Sequence, residues 1–339
     1  MRCCPLHPQF DLIFASQLRH VTIESLTSGV SLESLSHLTS LEQLDVKYGT
    51  GSFPVGLFAL PSLTFVKLGY VKWMEGGDTH WDWDFERDGY IYPAAEKAAA
   101  AIAARDVRYP PLGHNCTLLP ASLDRLHNLR SLSLSGRFKY FPPSLAFLAS
   151  TLESLTLYFS RKSCRGYYDL ISLPVNFGTL ISLKNLSIEG WDKFHHLPDS
   201  FSALASLVHL TVTDCQTFST LPDGFGSLPR LTQLEISRCD SFTHLPFSFT
   251  SLPLLRVACF SLCKQLHSLP PHMGQMLRLE VLQLRECVAL KSLPNSPEGA
   301  EALRSVDVCG SGLDQEGGEV KVCGRRVHVV RRTSGKAEK

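Results

Sequence analysis

Cysteine is where this sequence comes nearest to reactive chemistry. Four of its eleven cysteines, Cys215, Cys239, Cys263 and Cys287, stand 24 residues apart in unbroken series. A run of thiols offers two chemistries, metal ligation and redox exchange. Zinc wants four ligands that converge as a tetrahedron, whereas a fixed step of this length sets thiols in a row. Neighbours in such a row fall within the Cα separation a disulfide allows, but their side chains point in parallel rather than at one another. The series therefore reads as a small buried residue whose S–H donates to loop backbone. Cys259 lies outside the series, at an outward strand position.

The other candidates dissolve on inspection. Asp84-x-Glu86-x-Asp88-Gly89 has the alternating acids of a calcium loop, with Ile91 at the hydrophobic place. The twelfth position is Ala95, and Glu96 comes one residue late, so the bidentate ligand is missing. The acids instead fit an alternating strand with Trp83 and Phe85 facing in. His195-His196 sits in a Phe-His-His-Leu segment and reads as a solvated rim. No G-x-S-x-G, H-E-x-x-H or kinase signature occurs, and Gly335-Lys336 lacks every other part of a phosphate-binding loop. The sequence predicts no catalytic residue, no metal and no cofactor.

What must position these residues is a repeat. Leu-Pro pairs fall at Leu197-Pro198, Leu221-Pro222, Leu245-Pro246, Leu269-Pro270 and Leu293-Pro294, at the same 24-residue step as the cysteines. A period this long marks a solenoid. Within each copy, L-x-x-L-x-V/I predicts a strand whose inward and outward side chains alternate. Leu186 and Ile188 would point in, and Asn185, Ser187 and Glu189 out. The return half, P-x-x-F-x-x-L, is too short for a long helix and predicts a turn or a short 3₁₀ or α segment. One copy buries too few side chains to offset the roughly 1–2 kcal/mol needed to order each residue's backbone, so stacking is obligatory.

The period also divides the chain. Residues 1–68 hold the N-terminal segment and degenerate first copies, at Leu41-x-x-Leu44-x-Val46 and Leu63-x-x-Val66-x-Leu68. No obvious cap precedes them. Either Met1 to Leu18 covers the solenoid end, or this is the C-terminal piece of a larger ancestral protein. Residues 69–117 interrupt the repeat with an acidic-aromatic stretch holding Trp73, Trp81 and Trp83, then an alanine-rich segment, 94–104, that favours a short helix. Residues 118–313 carry the main array, with a smaller insertion near 161–170 and a regular period over 173–293. Residues 314–339 are expected to form a capping hairpin over 319–330, turning at Gly324-Arg325, and a basic tail.

The L-P-x-x-F-x-x-L openings and strand tails such as Leu234-x-Ile236-Ser237-Arg238-Cys239 match the leucine-rich-repeat consensus L-x-x-L-x-L-x-x-N/C-x-L. The sequence resembles the plant intracellular leucine-rich repeats found in the C-terminal part of nucleotide-binding disease-resistance proteins, over Leu32–Leu68 and Leu118–Val308. The resemblance implies an α/β fold: a leucine-rich-repeat solenoid with a curved parallel β-sheet of about eleven strands and mostly irregular, 3₁₀ or short-helical returns. It also implies partner recognition in plant defence or intracellular signalling. The nucleotide-binding part of those receptors has no counterpart here, so ATP switching does not carry over.

The outward strand positions make the first candidate site. They are Asn185, Ser187, Glu189, His209, Thr211, Gln233, Glu235, Val257, Val281, Gln283 and Arg285, together with Thr213, Ser237, Cys259 and Ser261. Mostly small and neutral, with one apolar strip at Val257 and Val281, they suit a protein or peptide and not a phosphate backbone. The second candidate is the excursion around Trp73, Trp81 and Trp83, since aromatic side chains anchor many interfaces; it would make the chain a structural or regulatory adaptor. A net charge of +1 gives no reason to expect nucleic acid or an anionic membrane. No apolar run approaches the roughly 18 residues of a membrane span, and Met1–Phe14 does not read as a secretory signal. The expected setting is therefore the cytoplasm with reduced thiols, with the nucleus as alternative given the basic tail. Without secretion, the sequons at Asn115 and Asn185 carry no weight.

Overall fold

The computed structural model describes residues 2–3, 17–24, 35, 37–51, 60–73, 126–135, 143–159, 170–294, 302–313, 321–322, 325–326 and 328–330. The calcium-like stretch, the alanine-rich segment, Trp81, Trp83 and residues 160–169 of the second insertion lie outside these.

The spacing of the return half explains its shape. In P-x-x-F-x-x-L-x-x-L every inward residue is three from the last, the period of a 3₁₀ helix. The proline fixes φ near −65° and leaves its carbonyl to open the turn. Phe201 N–H donates to Pro198 O at 2.9 Å, Phe225 to Pro222 at 3.0 Å and Phe249 to Pro246 at 3.0 Å. Leu204, Leu228 and Leu252 then donate to those phenylalanines' carbonyls at 3.2–3.3 Å. The results are short 3₁₀ helices at Asp199–Ala203, Asp223–Ser227 and Phe247–Ser251, with relatives at Pro143–Leu148, Phe177–Thr179 and Met273–Gln275.

The strand half stacks in parallel. In chain order the strands are β1 (Arg2–Cys3), β2 (His20–Ile23), β3 (Gln43–Gly51), β4 (Phe65–Trp73), β5 (Ser131–Ser135), β6 (Ser154–Tyr158), β7 (Asn185–Glu189), β8 (His209–Thr213), β9 (Gln233–Ser237), β10 (Val257–Cys259), β11 (Val281–Gln283), β12 (Ser305–Asp307), β13 (Lys321–Val322), β14 (Arg325–Arg326) and β15 (His328–Val330). Strands β1 to β12 followed by β15 form one thirteen-stranded sheet in sequence order. The eleven repeat strands, β2–β12, are its body, and β1 and β15 add one edge strand at each end. The molecule is a leucine-rich-repeat solenoid.

Register is kept throughout. Leu186 pairs with Leu210, Leu210 with Leu234 and Leu234 with Ala258. The insertions do not disturb it: Val66 still pairs with Leu132, and Leu155 with Leu186. Two details differ from the expectation. Strand β4 runs on to Trp73, past the point where the leucine period ends, and pairs with the end of β3 through Gly51↔Trp73. At the other end, Lys321–Val322 and Arg325–Arg326 do form an antiparallel pair, but His328–Val330 leaves it to join β12 in parallel. Backbone groups on the open edge of β12 are satisfied better by a parallel rung than by a longer hairpin.

Between the two halves lies a continuous apolar core. The inward strand residues Leu186, Ile188, Leu210, Val212, Leu234 and Ile236 are buried. Aromatic side chains stack from rung to rung, Phe194 on Phe218 at 5.7 Å and Phe218 on Phe242 at 5.8 Å; a second column runs Phe177, Phe201, Phe225 at 6.1 and 6.2 Å. Phe218 has a ring on either side, so Phe218→Ala leaves a cavity that neither neighbour can fill. It should destabilise the chain by about 3–5 kcal/mol, measured by urea unfolding.

Candidate partner-binding face

Each regular rung leaves the sheet through one residue in the left-handed region. These are Gly190 (φ 82°), Asp214 (56°), Arg238 (54°), Leu262 (61°), Glu286 (57°) and Gly310 (68°), one per rung. The turn keeps the ladder going, because the N–H at this place donates to the next rung: Asp214 to Ser237 O at 3.0 Å, Arg238 to Ser261 O at 2.9 Å and Leu262 to Arg285 O at 2.7 Å. It also swings the following residue inward.

That following residue is the ladder cysteine. Cys215, Cys239, Cys263 and Cys287 are fully buried and free. Their Sγ atoms face carbonyls of the preceding rung: Ile188 at 4.0 Å, Val212 at 3.7 Å, Ile236 at 3.2 Å and Phe260 at 2.8 Å. In the first regular rung Trp191 takes this place, and its indole N–H donates to Leu157 O at 3.3 Å. Burial pushes the thiols of Cys215 and Cys287 up to about 12 and raises those of Cys239 and Cys263 too. These are structural donors, not nucleophiles.

Among the outward residues the structure draws a distinction absent from the sequence pattern. Glu189, Thr211, Glu235, Gln283 and Arg285 line one groove of about 720 Å³ at the C-terminal ends of the strands, with Thr213, Ser237, Cys259 and Ser261. Asn185, His209, Gln233, Val257 and Val281 share the face but lie outside the groove, towards the strand starts, and Ser187, level with Thr211, also lies outside it. His209 Nδ1 is 2.9 Å from Asn185 Oδ1. The Val257–Val281 strip pairs across β10 and β11 and is only half exposed. Trp73 is placed in β4 by its backbone alone.

Besides Cys309, four groove residues stand outside the expected outward set: Asp214, Arg238, Leu262 and Glu286, the left-handed residues themselves. A signal for them does exist in the sequence, since each stands immediately before a ladder cysteine. Strand alternation alone would assign the position to no face. The groove is rich in charge. Arg238 pairs with Asp214 at 3.2 Å, and Arg285 with Asp307 at 3.3 Å. Ser237, itself buried, donates its hydroxyl to Glu235 Oε1 at 2.7 Å. Burial holds the Glu189 carboxyl above the usual range; the Asp214 carboxylate adds to this, Arg238 pulls the other way, and Glu235 raises it further. Among the described residues no group of three or more His, Cys, Asp or Glu is placed to hold a metal ion, and no helix is long and apolar enough to cross a membrane.

Comparison with solved structures supports the fold. An internalin from Listeria monocytogenes aligns over 88% of this chain and 75% of its own length, at 15% identity and a TM-score of 0.50. Drosophila Toll, in complex with Spätzle, aligns over 94% of this chain at 14% identity and a TM-score of 0.59. This chain spans 38% of the Toll chain's length. No family model matches the sequence, and no curated protein matches it.

Two outcomes check this geometry. Alkylation of the native chain, mapped by mass spectrometry, should modify half-exposed Cys259 while Cys215, Cys239, Cys263 and Cys287 react only after denaturation. In urea unfolding, Gly190→Ala should destabilise by about 2 kcal/mol or more, because a Cβ there meets the Phe159 carbonyl in a backbone conformation that penalises L-residues. Leu262→Gly, at the equivalent place, should change stability by less than about 1 kcal/mol, since relief of that strain offsets the lost side chain.

Proposed function

We propose that this chain is a non-enzymatic recognition module that binds a protein or peptide partner along its concave strand face, through the groove on β7–β11. One observation carries the proposal: five consecutive rungs with near-identical interiors contribute unlike side chains to a single groove. Glu189, Thr211, Glu235, Cys259 and Gln283 come from β7, β8, β9, β10 and β11 in turn. Selection for stacking alone would leave that surface free to be uniformly solvated. The Toll structure, a complex with Spätzle, supports a partner-binding role for this fold. The resemblance of the L-P-x-x-F and cysteine signatures to plant intracellular receptors favours defence or intracellular signalling as the setting, in the cytoplasm or nucleus.

The competing adaptor reading puts binding in the 73–92 excursion instead. Capture experiments with the intact chain separate the two. Glu235→Ala/Gln283→Ala should abolish capture of the specific partner set, and Trp81→Ala/Trp83→Ala should leave it unchanged. The reverse result moves the site to the excursion, and indifference to both pairs removes both.

A further inference from the structure

Resting on the concave-face reading, the groove can be assigned a ligand chemistry. We propose that it takes an extended protein segment that sets a lysine or arginine side chain between Glu189 and Glu235, and an apolar side chain against Leu262.

Charge is the first reason. The groove wall carries four carboxylates, Glu189, Asp214, Glu235 and Glu286, against two guanidinium groups, Arg238 and Arg285. Both guanidinium groups are already engaged, on Asp214 and Asp307. Neither Glu189 nor Glu235 has an ion pair among the described residues, and the hydrogen bond that Glu235 accepts from Ser237 leaves its charge in place. Spacing is the second reason. Thr211 of β8 pairs with Ser187 of β7 on one side and Glu235 of β9 on the other. Glu189 is level with Thr213 and Glu235 with Thr211, so the two acids flank β8 diagonally, two strands and two residues apart, roughly 12 Å between their Cα atoms at the usual strand spacings. Thr211 and Thr213 make a hydroxyl floor between them. A cationic head centred there reaches both carboxylates and relieves the burial and repulsion that raise the Glu189 carboxyl. The two acids are too far apart to chelate one small ion, so a side chain fits better than a metal.

Backbone strain is the third reason. The left-handed place is occupied by glycine at Gly190 and Gly310, beyond the groove's centre, but by Asp214, Arg238, Leu262 and Glu286 within it. Glycine would hold the turn at no steric penalty. Four consecutive rungs keep a side chain there despite the penalty, and all four project onto the groove wall. Leu262 has no charge partner to justify its place, so an apolar contact from outside is the use left for it. Strain kept where a surface is used is the pattern of a ligand clamp.

The test selects short random peptides on the intact chain and titrates synthetic copies of the winners against wild type, Glu189→Gln/Glu235→Gln, Leu262→Ala and Thr211→Arg, with each variant's Tm measured to confirm folding. The winners should carry a lysine or arginine near an apolar residue. Their affinity should fall about tenfold or more on the double glutamine variant and at raised salt. A peptide with that basic residue replaced by glutamine should lose as much on wild type and little further on the variant. Winners that Thr211→Arg blocks but the carboxylate variant does not would overturn this assignment while leaving the concave-face function standing. Winners indifferent to every variant, or no enrichment at all, would overturn both.

Discussion

The turn at the end of each strand is the constraint on which the molecule depends. A rung must leave the sheet at the same height as its neighbours, or the next strand slips and its leucines face water. A single left-handed residue does this at Gly190, Asp214, Arg238, Leu262, Glu286 and Gly310. Its N–H stays in the ladder while the next residue is driven into the core. That inward residue finds itself beneath a strand-end carbonyl of the preceding rung, in a dry setting where an unpaired acceptor is expensive. A thiol is small enough to fit and polar enough to donate. Trp191 shows that the requirement is a donor and not a cysteine as such.

From that turn the rest follows by repetition. The C-x-x-F and P-x-x-F segments each close a three-residue turn, Phe218 N–H to Cys215 O at 3.1 Å and Phe225 N–H to Pro222 O at 3.0 Å. Both place a phenylalanine directly above its equivalent, so the rings form columns. Every contact of this kind is between neighbouring rungs. The array is therefore stable as a stack and not as a set of separate units, and its ends need edge strands such as β1 and β15 to satisfy exposed ladder groups.

A frame so repetitive leaves few positions free to vary, and these are where recognition can be written. Strand alternation frees the outward residues, and the left-handed turn frees one more per rung. The two sets meet at the C-terminal ends of the strands, in a groove where carboxylates outnumber the guanidinium groups that answer them. Ion pairs such as Arg238–Asp214 link adjacent rungs, with the arginine side chain largely exposed, and contribute little to stability. Their effect is on which charges remain available across the groove.

Sequence alone determined the solenoid, the parallel register, the inward leucines, the 3₁₀-like returns and the structural role of the cysteines. All of these follow from spacing, and spacing is local: three residues per return turn, two per strand step, one fixed interval per rung. It also put Glu189, Thr211, Glu235, Gln283 and Arg285 on one face. Alternation could not tell them from Asn185, His209 or Val257, because a period of two marks the side of a sheet but not the position along it. Only the tertiary structure decided that. The depth of the groove comes from the curvature of many stacked strands and from the left-handed turns that raise Asp214, Arg238, Leu262 and Glu286 along its wall. Those residues belong to neither the strand period nor the return period, so their place became visible only when the rungs were stacked.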